Sequence, residues 1–163
     1  MASRLYFRQM LAGRDFAQDD FIAKQMVNFT YLIGDPESRD AVIVDPAYGV
    51  GELVETLAAD DMRLVGVLVT HYHPDHVGGD LMGHSIEGLH RLLELQEVPV
   101  HVQGPEAYGV NRVTGVSEDI LVTHASGDVV EVGTVPVELI HTPGHTPGSQ
   151  CFLVDNRLVA GDT

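Results

Sequence analysis

A chain of 163 residues with 44% apolar side chains is long enough to form one domain around a real core. Nine Lys and Arg stand against 24 Asp and Glu, a formal charge of −15 that argues against nucleic acid and anionic lipid surfaces as partners. The single cysteine, Cys151, rules out an internal disulfide framework and, set between Gln150 and Phe152, reads as a buried strand residue.

The opening MASRLYFRQMLAGRDF lacks the apolar core and small-residue cleavage site of a secretory signal, and no window approaches ~18 apolar residues. A soluble, cytoplasmic protein is therefore expected. NFTYLIG and AVIVDP are β-branched and aromatic runs split by the turn cluster DPESRD, which predicts an antiparallel hairpin. Asn28-Phe29-Thr30 matches a glycosylation sequon but reads as a strand triplet in a chain without an export signal. Leu53, Val54, Leu57 and Ala58 mark one face of a helix, and LVGVLVT after it is a strand apolar on both sides. SIEGLHRLLELQEV, Ser85 to Val98, has helical periodicity, and VPVHVQG reads as a further strand. Pro105 to His124 reads as mostly irregular. The last stretch, DVVEVG, VPVELIHT, QCFLVDN and RLVAGD, predicts a strand-rich meander. The fold expected is α/β or α+β with mixed strand pairing, in one domain over 1–163.

The LVGVLVT strand delivers THYHPDHVGG at its carboxyl end, where loops on a rigid sheet usually carry ligand-binding side chains. Imidazoles and carboxylates are the common nitrogen and oxygen ligands of zinc. In extended backbone His71 and His73 point the same way and can share one ion, while Asp75 and His76, beyond Pro74, can turn to a second point nearby. His145 in HTPGHTPGS and Asp162 in AGDT fit as further ligands, and the two carboxylate oxygens of Asp162 allow it to bridge two ions. His141 reads as a supporting residue of the same loop. His84, His90, His101 and His124 are scattered and stay outside the ligand set.

THYHPDHVGG, HTPGHTPGS and AGDT, in this order and after NFTYLIG and VIVDP, resemble the metallo-β-lactamase fold superfamily over nearly the whole chain from about Asn28 onward. The resemblance implies an αββα sandwich, with His71, His73 and His145 on a first metal, Asp75 and His76 on a second, Asp162 between them and Asp45 beside the site. It also implies a further histidine ligand beyond Thr163, so the chain resembles a copy whose C-terminal part is missing, with apolar sheet surface left uncovered and association, including a homo-oligomer, expected. Asp162 and the HTPGHTPGS loop look most like glyoxalase II. That likeness implies a zinc-dependent hydrolase (iron or manganese being alternatives) that attacks a small thioester or thiol conjugate with a metal-bound hydroxide, with Asp75 orienting it. A second likeness is to persulfide dioxygenases, which implies one iron on His71, His145 and Asp162. A third reading is a non-catalytic metal-binding fragment.

Overall fold

The hairpin expected between the first two runs forms as β2 (Phe29–Asp35) and β3 (Asp40–Val44), antiparallel, with Tyr31 opposite Val44 and Asp35 opposite Asp40. The computed structural model describes residues 4–163. Around the hairpin a six-stranded sheet runs in the order β1 (Tyr6–Leu11), β2, β3, β4 (Arg63–Leu68), β7 (Val100–Gln103), β8 (Leu121–His124). β3, β4, β7 and β8 are parallel, and the crossovers between them carry α2 (Val50–Ala59), α4 (Leu89–Leu95) and α5 (Ala107–Thr114). The remaining helices are short: α1 (Phe21–Met26) and α3 (Pro74–Val77). A small hairpin, β5 (Gly79–Leu81) with β6 (His84–Ile86), follows α3. The meander forms a separate antiparallel sheet in the order β12 (Arg157–Val159), β11 (Gln150–Val154), β10 (Val135–His141), β9 (Val129–Val132).

Side-chain alternation in the central strands builds two cores at once. Ala41 and Ile43 join Val67, Val69 and Val100 under the helices, where Leu53, Leu57, Leu89, Leu92 and Val110 cover them. Val42, Val44 and Leu68 face the other way and meet Val137, Leu139, Phe152 and Val154 of the second sheet. Each such Leu, Ile, Val or Phe contributes about 1.5–3 kcal/mol relative to exposure. This explains why β4 is apolar on both faces. The layers are helices, six-stranded sheet and four-stranded sheet, and among the described residues no helix covers the outer face of the last. The apolar surface expected to lie uncovered is there in part, as exposed Val129 and Leu158, and is interrupted by exposed Glu131 and Glu138. Charges break the patch.

Two buried glutamines tie the sheets together. Gln103 donates to the Gln150 side chain at 2.9 Å, and Gln150 donates through its own side chain to Val69 O at 2.8 Å and through its backbone to Thr70 O at 3.0 Å. A second tie lies at the opposite end, where Thr134 donates to Asp35 Oδ2 through its backbone N at 2.8 Å and its hydroxyl at 2.9 Å. The Thr134 and Glu37 backbone donors hold the Asp35 carboxyl down at about 2. Because the folded state lowers this pKa, the contribution is complete above about pH 4, the ordinary carboxyl range, and is lost as pH falls towards about 2. Asp35→Asn should therefore lower the melting midpoint at neutral pH, with the gap to the wild type closing in acid. A gap that stays constant down the pH scale would contradict this reading.

Two expected elements need correction, and one strand goes unexpected. The helix expected over Ser85–Val98 starts only at Leu89, because Ser85 and Ile86 pair in β6 and Gly88 adopts an extended conformation no helix accepts. The stretch read as irregular, Pro105 to His124, holds α5 and β8. β1 has no counterpart in the sequence reading; it is an edge strand whose exposed Arg8 and Gln9 hide the alternation. No helix among the described residues is long and apolar enough to cross a membrane.

Candidate metal centre

The motif residues gather at one edge of the paired sheets, from loops and from the short helix α3. β3 ends into Asp45, β4 ends into Thr70 to His73, α3 carries Asp75 and His76, the β10–β11 connection carries His145, and the turn after β12 carries Asp162. Pro74 starts α3, where its missing N–H costs nothing. Gly78 ends α3 at φ 85°, and a Cβ there would stand 2.7 Å from Gly88 Cα. Only glycine lets the chain leave the helix and pass so close to the segment leading into α4.

Asp45 organises the centre. It occupies the left-handed region, at φ 53°, which an Asp tolerates better than most side chains. Its carboxylate accepts from Thr70 N at 2.8 Å, from the Thr70 hydroxyl at 2.5 Å and from His76 Nδ1 at 2.8 Å. Since the Thr70 hydroxyl spends its proton on Asp45, its oxygen accepts from His71 Nδ1 at 3.0 Å. Both rings thus carry a proton on Nδ1 and turn Nε2 inward, and both Nε2 atoms are buried without a hydrogen-bond partner. A buried polar atom left unpaired is costly, and two of them aimed at one place fit a cation.

Three donor sets form, each with its ligand atoms within 4.8 Å of one another: His71, His73 and His145; Asp45, His71 and His76; and Asp75, His76 and Asp162. The oxygens of Asp45 are already taken by three donors, so it supports ligands rather than serving as one. His73 Nδ1 lies 3.0 Å from His145 Nε2. Asp162 Oδ2 lies 3.3 Å from His145 Nε2 and 3.7 Å from His71 Nε2, while Oδ1 lies 3.3 Å from His76 Nε2. Asp75 Oδ2 lies 3.5 Å from His76 Nε2. His71, Asp75 and His76 are buried; His145 and Asp162 sit at the open side, at 37% and 39% side-chain exposure.

The electrostatics favour binding cations. Burial, helped by neighbouring His76, pushes His71 down to about 4, so it is neutral at physiological pH, the form a metal ligand requires. Burial and His145 lower His73 as well. For His76 burial is the largest single influence and acts downward, but Asp162, Asp45 and Asp75 together raise it to about 10. Without an ion it is an imidazolium whose Nε2–H faces Asp162 at 3.3 Å without hydrogen-bond alignment. That His76 contact holds Asp162 down at about 2. To serve as a ligand in the third set, His76 would give up its Nε2 proton.

Several supporting residues are absent from the sequence reading. Asn28, immediately before β2, donates its amide to Asp75 Oδ2 at 2.8 Å and to Asp75 O at 2.9 Å, clasping the residue from both sides. The Tyr48 hydroxyl is buried without a hydrogen-bond partner; burial, then the charge of Asp75, raises its pKa. Thr70 and Glu106 complete the set. His141 braces its loop, its Nε2 lying 2.9 Å from Pro147 O. His101 and His124 pair with each other at 2.9 Å, and His90 lies near Glu94 on α4, so neither group joins the centre.

A helix layer over two stacked sheets, with histidines and aspartates gathered at one edge in sets able to hold metal, defines an α/β sandwich with a metal-capable edge. The chain belongs to the metallo-beta-lactamase superfamily: the sequence model of that family matches residues 24–163. Among its relatives, a hydroxyacylglutathione hydrolase of Bradyrhizobium sp. (strain ORS 278) is 36% identical over 140 residues, 83% of this chain and 48% of the relative. The mitochondrial persulfide dioxygenase ETHE1 of Homo sapiens is 30% identical over 162 residues, 94% of this chain and 56% of the relative. The crystal structure of ETHE1 from Myxococcus xanthus superimposes with a TM-score of 0.69 at 28% identity, covering 94% of this chain and 55% of that one. The chain thus spans about half the length of these relatives.

Proposed function

We propose that the centre is that of a two-metal hydrolase acting on a small thioester. The supporting observation is Asp162, whose Oδ2 faces His71 and His145 while Oδ1 faces His76, so that one carboxylate addresses both donor sets. His71, His73 and His145 would hold one ion and Asp75 and His76 a second, with the Asp162 carboxylate facing both. Two divalent ions there, zinc by the nitrogen and oxygen donor set, would supply a water that ionises near neutral pH and a Lewis acid for the carbonyl under attack. Asn28 fixes the Asp75 carboxylate through side chain and backbone together, so its orientation does not depend on the ion. Asp75 is then placed to orient the attacking water and accept its proton. The open side at His145 and Asp162 is where the substrate enters.

A second reading, a mononuclear iron persulfide dioxygenase, draws on one observation: Asp162 Oδ2 alone faces both His71 and His145, a two-histidine, one-carboxylate set that leaves positions open on iron. The alignment to the human dioxygenase also covers 94% of the chain. Metal analysis of anaerobically purified protein, paired with activity, separates the two. Two zinc or manganese ions with cleavage of a hydroxyacylglutathione support the hydrolase; one iron with persulfide-dependent oxygen uptake replaces it. In the hydrolase, Asp75→Asn should lower kcat by roughly 10²–10⁴-fold while affinity at the three-histidine set is kept. Unchanged turnover would remove Asp75 from the mechanism.

A further inference from the structure

We propose that Glu106 is a positioning residue that locks the two histidine loops together at ligand distance. Glu106 closes a single 3-10 turn, Gly104–Glu106, just before α5, and is 1% exposed. Its Oε1 accepts two hydrogen bonds, from Tyr72 N at 2.8 Å and from the Thr146 hydroxyl at 2.8 Å. Tyr72 stands between His71 and His73 on the loop leaving the first sheet. Thr146 directly follows His145 on the loop joining two strands of the second. One buried oxygen therefore fastens the two sources of the three-histidine set to each other.

The partners are themselves fixed. The Thr146 hydroxyl donates to Glu106, so its oxygen accepts from Ser149 at 2.7 Å, and Ser149 Oγ in turn accepts from Thr146 N at 3.0 Å. Thr146 and Ser149 are both buried. Gly148 brings the loop flush against Glu106: a Cβ there would stand 2.6 Å from Glu106 N. Even the smallest side chain would force the loop off its support. The second carboxylate oxygen, Oε2, is buried without a hydrogen-bond partner, so the residue carries an unrecovered desolvation cost. The two loops that Glu106 joins meet at His73 Nδ1 and His145 Nε2, 3.0 Å apart, in rings whose centroids are 4.7 Å apart.

This inference rests on the reading of His71, His73 and His145 as metal ligands. Groups behind the ligands typically set metal affinity by 10–100-fold because they determine how much ordering the ion must impose. The test is cobalt(II) titration of the full chain, read by the visible spectrum and by competition with a chelator, alongside the melting midpoint of the metal-free protein. Glu106→Ala should weaken cobalt binding by roughly 10–100-fold and shift the visible band of the bound ion. Glu106→Gln, whose amide oxygen can still accept from Tyr72 N and Thr146, should restore most of the affinity. Thr146→Val removes the hydroxyl that joins Glu106 to Ser149 while leaving the Tyr72 bond in place, and should weaken cobalt binding in the same direction, providing the measurement if Glu106→Ala does not fold. Wild-type binding with the same affinity and spectrum in Glu106→Ala, or in Thr146→Val where the alanine variant fails to fold, overturns the proposal alone. No cobalt binding by the wild type overturns the metal reading and this proposal with it.

Discussion

Asp45→Ala is expected to destabilise the metal-free protein by about 3–5 kcal/mol and to weaken metal binding as well. The carboxylate is 4% exposed and accepts from Thr70 N, the Thr70 hydroxyl and His76 Nδ1. Removing it leaves Thr70 N and His76 Nδ1 without their acceptor deep in the fold. It also takes from His76 the carboxylate it is hydrogen-bonded to, with only the longer Asp75 and Asp162 contacts remaining as counter-charge. The binding loss has a separate origin. With Asp45 gone, Thr70 no longer needs to donate to it, so its hydroxyl is free to donate to His71 Nδ1, which moves the His71 proton to Nε2 and points it at the ion. Asp45→Asn should be nearly as damaging, because the amide can meet only some of these donors and presents N–H to the rest. Urea unfolding in the presence of a chelator gives the stability change, and zinc competition gives the affinity. A loss below about 1 kcal/mol, the worth of a single ordinary hydrogen bond, would mean that the network does not hold the loops.

The contrasting case is His145→Ala, for which affinity should collapse while the fold barely notices. Its side chain is 37% exposed on a Pro- and Gly-rich loop, so truncation should change metal-free stability by no more than about 0.5 kcal/mol. Structural zinc sites bind with about 10–16 kcal/mol over four ligands, roughly 3 kcal/mol apiece, which corresponds to a loss of more than about 100-fold in affinity. Zinc competition against a chromophoric chelator, with a melt of the chelated protein as control, reads both halves. Affinity kept within a few-fold would remove His145 from the ligand set. Asp45 and His145 thus separate two jobs that share one site, shaping the loops and touching the ion.

Much of this architecture is legible in local pattern. The β2–β3 hairpin, α2, the two-sided apolar β4 and the β9–β12 meander follow from periodicity and turn residues that act within a few positions. Long-range causes are not legible in the same way. The sequence of α5, AYGVNRVT, contains glycine, two valines and a threonine, a poor helix by propensity. Gly109 is there because the Tyr72 ring occupies the space its Cβ would need, at 2.6 Å. The helix forms against the metal loop rather than by itself. The leucine periodicity from Ser85 onward misleads in the opposite direction, since Gly88 packs against Gly78 and delays the helix to Leu89.

The candidate site divides along the same line. His71, His73, Asp75 and His76 announce themselves by clustering, and His145 and Asp162 by their turn-rich settings. Of the residues that orient them, Asp45 is reached only through the family resemblance, and Asn28 and Glu106 not at all, because each acts across a long stretch of chain: Asn28 on Asp75, Asp45 on Thr70, Glu106 on Tyr72 and Thr146. A carboxylate or amide beside a strand or turn carries no local mark of such a partner.

The paired glutamines Gln103 and Gln150 give the sandwich a consequence beyond cohesion. Gln150 sits at the start of β11 and reaches Val69 and Thr70, the last residues before the histidine motif, so the sheets are pinned where the ligand loops leave them. The spacing between the His71–His73 loop and the His145 loop is therefore held at the sheet edge itself, next to the candidate ligands, rather than only by packing deep in the core.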